Sequence, residues 1–264
     1  MTIVYHPAYE NDFSPGGIEG PERVRSIRAR LEREGLPFLQ PGPATDTDLL
    51  LVHDPGMVTR LKSRPLLYET ALLAVGGAIH SAELAMSGTP IFALLRPPGH
   101  HADCRGSWGF CYVNNVAIAV SRLLQEEKVR WAVILDLDHH VGDGTQRIFV
   151  SHATVSVINL VAATRQDYVS QLHHTLRAIR RTDVVAISMG FDTYKRDLGG
   201  LLETDDYRLL GLMLRQAAER LCQGRRFALL EGGYYLPDLG ENALAFCQGF
   251  GLAQGASGPL SVVR

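Results

Sequence analysis

From Pro90 onward, short runs that are apolar at almost every position alternate with longer stretches whose apolar residues recur at helical spacing. PIFALL, WAVILDLD, TVSVINL, DVVAISMG and RRFALL are of the first kind. VAIAVSRLLQ, RQDYVSQLHHTLRAIRR, DDYRLLGLMLRQAAERL and ENALAFCQGF are of the second, and in RQDYVSQLHHTLRAIRR the residues Tyr168, Leu172, Leu176 and Ile179 share one helical face. A strand with no polar face has to be covered on both sides, and strands separated by helices return to the same edge. The pattern therefore predicts a three-layer α/β/α sandwich with a central, mainly parallel sheet. PGPATDTD, near residue 41, reads as a surface loop, and no repeat or interdomain linker is visible, so residues 1–264 are expected to form a single domain.

Ligands of such sheets bind beyond the carboxyl ends of the strands, which makes the polar residues there the candidates for chemistry. After WAVIL stand Asp136, Asp138 and His140, alternate residues that on an extended chain face one side, with Asp143 following in a Gly-rich turn. That spacing suits metal ligation, although Asp-x-His tripeptides are common. After IFALL, a Pro-Pro-Gly turn leads into His100 and His101, whose imidazoles titrate close to neutral pH and suit acid/base work. Asp192 follows the strand run DVVAISMG and is either a cap or a further ligand that completes an Asp-His-Asp set with open positions for water and substrate. Glu231-Gly232-Gly233-Tyr234 closes the last strand run, where glycines permit a close backbone approach and Tyr234 is either a core residue or a hydroxyl donor.

Composition narrows the partners. A formal net charge of −2 gives no global reason to bind nucleic acid or an acidic membrane surface. The four cysteines are scattered without a CxxC pair, which reads as reduced thiols. With no signal-peptide pattern at the N-terminus and no run of apolar residues long enough to span a bilayer, a cytoplasmic location is expected.

In their order along the chain, YHPAYE, GPERVRSI, RPPGHHA, GFCYVNN, DLDHHVGDGTQ, SMGFDTYKRDLGG and LEGGYYLPDLGENA resemble the histone deacetylase family. That family includes acetylpolyamine amidohydrolases and bacterial deacetylase-like amidohydrolases and shares its fold with arginases. Each motif alone is weak; the ordered set is specific. The resemblance implies hydrolysis of an acylated amine, most readily an acetyl- or acyl-lysine, with Zn²⁺ held by Asp138, His140 and Asp192. It implies His101 as general base and then acid, His100 as its electrostatic partner, Asp143 and Asp136 as the carboxylates that orient them, and Tyr234 as the oxyanion donor. It implies Gly109 and Phe110 as the wall of the substrate channel, and a structural K⁺ at Asp136, Asp138, His140, Ser156 and Val157. An oxygen-rich set of this kind also suits Fe²⁺.

The chain departs from the family pattern at His139 and Val141 around the second metal ligand, at Ile158, and at Gly20 in the HPE-like segment. It also lacks much of the rim material expected between Val58 and Tyr68 and between Ile158 and Asp183, including a second aromatic wall and an aspartate that grips the substrate backbone. An open site with loose selectivity is expected, and a polyamine substrate is disfavoured. Three other readings stay open: a deacylase of a small molecule, an arginase-like enzyme with two manganese ions, and a noncatalytic acyl-lysine binding module. Oligomeric state is not legible.

Overall fold

Seven strands form one sheet in the order β2-β1-β3-β7-β6-β4-β5, and every pairing is parallel. In this computed structural model, residues 1–14 and 17–251 are described; the ends of the expected 1–264 domain beyond residue 251 lie outside them. The strands are β1 (Thr2–Val4), β2 (Phe38–Leu39), β3 (Ile91–Ala93), β4 (Ala132–Asp136), β5 (Val155–Asn159), β6 (Val184–Met189) and β7 (Arg226–Leu230). All residues of β3, β4, β6 and β7 are buried, as strands covered on both faces must be, whereas the edge strands β2 and β5 are only partly covered.

The helices are α1 (Pro21–Arg33), α2 (Asp46–Leu49), α3 (Pro55–Lys62), α4 (Pro65–Ala85), α5 (Asn115–Gln125), α6 (Asp143–Phe149), α7 (Arg165–Ala178), α8 (Thr204–Cys222) and α9 (Leu236–Phe250). They pack into two groups: α1, α9, α8 and α7 in one, α3, α4, α5, α2 and α6 in the other, with the sheet between. This is the expected three-layer sandwich. Phe92, Phe191 and Phe246 lock the sheet to α9 through edge-on ring contacts at centroid distances of 6.2, 5.6 and 6.2 Å, each contributing roughly 0.5–1.5 kcal/mol beyond its buried area.

Two local expectations change. Ile179 is buried but does not share the α7 face, because the helix ends at Ala178 and Ile179 turns extended. The PGPATDTD loop is not wholly superficial, since its Ala44 is buried and donates its N–H to the Leu72 carbonyl of α4 at 2.8 Å.

His53 ties this framework to the site loops. Its Nδ1 meets the Asp103 carbonyl at 2.7 Å and its Nε2 accepts the Asn114 N–H at 2.9 Å. Burial lowers its pKa to about 4, only partly offset by the Asp103 carbonyl. The unfolded chain therefore takes up a proton that the folded one refuses, so this stability is complete above about pH 6.5 and is lost as pH falls toward 4. Between pH 7 and 4.5 the wild type should lose about 2–3 kcal/mol more than a His53→Gln variant in urea melts; equal losses would show that His53 does not carry the acid sensitivity.

Candidate active site

The four central strands, adjacent in the order β3, β7, β6 and β4, end in the four polar clusters, so the parallel sheet delivers segments far apart in sequence to one place. Asp138 and Asp192 are buried and His140 is partly so, and a ligand atom from each lies within 4.8 Å of the others. His140 Nδ1 stands 3.2 Å from Asp138 Oδ1 and 3.0 Å from Asp192 Oδ2. These three residues can hold a metal ion. Two carboxylates forced together in a buried place repel: burial and then the Asp138 charge push Asp192 up to about 7. Hydrogen bonds to the two carboxylates raise His140 to about 10. A field that attracts a proton this strongly attracts a divalent cation too.

Backbone geometry makes the site possible. The Gly232 N–H donates to Asp138 Oδ2 at 2.8 Å, and a Cβ on Gly232 would lie 2.6 Å from that oxygen. The His139 N–H donates to Asp192 Oδ1 at 3.0 Å, so the departure at His139 supplies its backbone to the same group. Asp136 does not join the three. It lies one step behind, accepting the Asp138 N–H at 3.1 Å and meeting His100 Nδ1 at 3.1 Å.

The two adjacent histidines are driven to opposite charge states. Burial opposes protonation of His100, but the Asp136 and Asp138 charges outweigh it and raise its pKa well above the usual value. Burial and then the neighbouring His100 charge lower His101 to about 4, against the pull of Asp143, whose Oδ1 meets His101 Nδ1 at 2.8 Å. Environments that separate two pKa values in this way assign acid and base roles.

A pocket of about 180 Å³ opens onto His100, His101 and His140 and is lined further by Phe110, Trp108 and Tyr234. Gly109 has φ +59°, and a Cβ there would fall 2.6 Å from His101 Cδ2. Phe110 itself takes φ +66°, a conformation that costs about 1 kcal/mol or more and brings its ring to 6.3 Å from that of Tyr234. The Asp197 carboxylate accepts the N–H groups of Tyr234 and Tyr235 at 2.6 and 2.7 Å and fixes that turn.

The reading of Ser156 and Val157 is corrected by strand register. Ser156 pairs with Val133 and Val157 with Ile134, whereas Asn159 pairs with Asp136. At about 3.3 Å per residue, Ser156 stands about 10 Å along the sheet from Asp136, and it lines a surface hollow with Val133 and Ile158. Asn159 and Leu160 reach the turn instead: Asn159 Oδ1 accepts the Gly142 N–H at 2.8 Å and the Leu160 N–H donates to the Asp136 carbonyl at 3.1 Å.

Three contributors have no role legible in the sequence, although Arg23 and Glu231 fall within the GPERVRSI and LEGGYY segments. Trp108 stacks on His101 at 3.7 Å and donates Nε1–H to Asp143 at 3.1 and 3.2 Å, so an aromatic does supplement Phe110, from the same loop rather than a second one. Glu231, pushed up to about 7 by burial, accepts the Gly99 and His100 N–H groups at 2.7 and 3.2 Å. His100, Cys111 and Glu231 also approach one another, but Glu231 is occupied by these donors and by Ser188, and burial raises the Cys111 thiol well above its usual pKa. Arg23 is fully buried and donates Nε–H to the Gly233 carbonyl at 2.5 Å and a terminal N–H to the Glu231 carbonyl, with Glu19 as counter-ion at 2.8 Å. The GPER segment is its only mark in the sequence.

An all-parallel α/β sandwich with an Asp-His-Asp cluster beside a polarised histidine pair has the donor set that metal-assisted hydrolysis uses. Residues 17–168 match the model of the histone deacetylase domain. A probable deacetylase of Archaeoglobus fulgidus is 31% identical over 99% of this chain and 88% of its own length. A histone deacetylase-like amidohydrolase of Pseudomonas aeruginosa is 28% identical over 94% of this chain and 79% of its own length. The crystal structure of the HDA15 HD domain superposes with a TM-score of 0.83 at 25% identity, covering 93% of this chain and 88% of that one. The chain belongs to the histone deacetylase family. Among the described residues, no helix is long and apolar enough to cross a membrane.

Proposed function

We propose that this protein hydrolyses the amide bond of an acylated amine, an acyl-lysine side chain above all, with zinc held by Asp138, His140 and Asp192. The observation that carries the reading is the convergence of these three donor groups within 4.8 Å beside two histidines of opposite charge state. Zinc supplies Lewis acidity toward the acyl carbonyl and makes water acidic enough to lose a proton near neutral pH.

The remaining steps belong to side chains. His101, neutral and held at Nδ1 by Asp143, takes the water proton at Nε2. As the C–N bond breaks, the same imidazolium returns a proton to the leaving amine, so the products are a carboxylate and an amine. His100, kept cationic by Asp136, lowers the basicity of His101 and favours that return. Burial raises the Tyr234 pKa, so its hydroxyl stays protonated and donates to the oxyanion. Trp108 and Phe110 flank the acyl-amine from the Gly109 loop.

The test is turnover of a panel of acyl-lysine peptides and acetylated small amines by zinc-loaded protein. Hydrolysis that is lost on chelation and restored by zinc is the expected result. No hydrolysis of any panel member by protein with stoichiometric zinc would overturn the proposal.

A further inference from the structure

A second hollow, of about 390 Å³, is lined by the loop residues just before Trp108; its lining includes Arg60, Arg64, Arg105 and Tyr112 and no acidic residue. Resting on the amide-hydrolase reading, we infer that this hollow binds an anionic group, a carboxylate or phosphate, on the amine side of the substrate.

The three guanidinium groups are poorly compensated. Arg60 donates to the Arg105 carbonyl at 2.5 Å, and Arg64 donates to the Phe13 carbonyl at 3.2 Å and lies 5.3 Å from the Tyr112 ring centre. Neither has an ion-pair partner among the described residues. Arg105, with its side chain 88% exposed, has only Asp54 at 3.9 Å, a contact worth little in water. Two acids of the flanking segments, Asp54 and Asp103, are engaged elsewhere. Asp54 caps α3 through the Met57 N–H at 2.7 Å, and Asp103 accepts the Arg105 and Gly106 N–H groups and pairs with Arg147.

Helix electrostatics strengthen the case. Arg60 in the last turn of α3 suits the negative end of that helix, which accounts for one cation of the three. Arg64 does the reverse: it is the N-cap of the 21-residue α4, where the helix dipole is already positive. A cation placed there adds to a positive field that an anion relieves, and planar guanidinium forks match carboxylate and phosphate oxygens.

The hollow is also built and correctly placed. The Asp54 N–H donates to the Cys104 carbonyl at 2.8 Å, which together with Arg60 pins the 103–107 loop to α3. Gly106 and Ser107 line the hollow, and the next residue, Trp108, lines the catalytic pocket. Ser107 and Trp108 thus place the hollow one residue along the loop from the pocket. The same charge repels a polycation, so acetylated polyamines are poor substrates.

The experiment compares kcat/KM for acetyl-lysine peptides with glutamate, neutral or lysine flanks and for an acetylated alkylamine bearing a phosphate. Acidic flanks or the phosphate should raise kcat/KM by about tenfold or more over lysine flanks, mainly through KM and less so at high salt. Arg105→Glu, at a side chain that is 88% exposed, and Arg64→Gln should each shrink that ratio severalfold. The same reversal at Arg208 on α8 should leave it unchanged. The better of the peptide and the phosphorylated amine names the source of the anion. Titration of metal-free protein with the acidic and lysine-flanked peptides repeats the comparison without turnover, so inactive enzyme alone would count against the hydrolase reading and not against the subsite. A ratio near one in wild type, or one that survives both Arg105→Glu and Arg64→Gln, would overturn the inference.

Discussion

Asp192→Ala is expected to remove the metal, and with it turnover, by at least about 10³-fold. Asp192 is fully buried at the end of β6, and its two oxygens meet the His139 N–H and His140 Nδ1, both at 3.0 Å. Without it, Asp138 and His140 remain as a pair of donors, too few to hold zinc against water. The fold should tolerate the change. The loss of a partner for the His139 N–H costs about 1–3 kcal/mol, but repulsion between two buried carboxylates, visible in the raised pKa of Asp192, is relieved at the same time. Melting with and without added zinc separates these effects. Zinc at a thousandfold excess over its Kd stabilises the wild type by about 4 kcal/mol, and the variant should show no zinc-dependent shift while melting close to the metal-free wild type. Stoichiometric zinc on purified Asp192→Ala would show that the metal is held elsewhere.

How much of this site was legible follows from which interactions are local in sequence. β3, β4, β6 and β7 announce themselves because a strand covered on both faces is apolar throughout, and each one ends at a polar cluster. β1 and β2 span three and two residues, too short to show a period, and α4 buries one face, with Thr70, Ala71, Ala74, Gly77 and Ala78, but also carries Leu66, Leu72, Leu73 and Ile79 at less buried positions, which blurs its amphipathic stripe. The Ser156 and Val157 expectation failed for a different reason. A Val-Ser-Val triplet identifies a strand but not its register, and a shift of three residues in β5 brings Asn159 rather than Ser156 to the Asp136 turn. Trp108 and Arg23 escaped because their partners, Asp143 and the 231–233 backbone, are remote in sequence. The loss of rim material was legible as short connections, only Ser63 and Arg64 between α3 and α4, but the arginines exposed by that shortening acquire meaning only beside Arg105.

Tyr234→Phe tests the part of the chemistry that no metal ligand supplies. The hydroxyl is the only group lost, because the ring keeps its place over the Arg23 guanidinium at 4.8 Å and beside Phe110, and Asp197 still holds the backbone N–H groups of residues 234 and 235. A donor aimed at charge that develops only as the amide is attacked contributes to kcat and little to ground-state binding, and removal of one such donor costs about 10²–10³-fold. Zinc content and KM should therefore stay near the wild-type values while kcat falls by that factor. A rise in KM with kcat preserved would make Tyr234 a wall of the pocket instead. Burial gives the result a pH signature: the raised phenol pKa keeps the donor protonated throughout the working range, so the ratio of wild-type to variant kcat should stay flat from pH 6 to pH 9. A ratio that collapses toward the alkaline end would mean that the hydroxyl titrates there and acts as a base rather than a fixed donor.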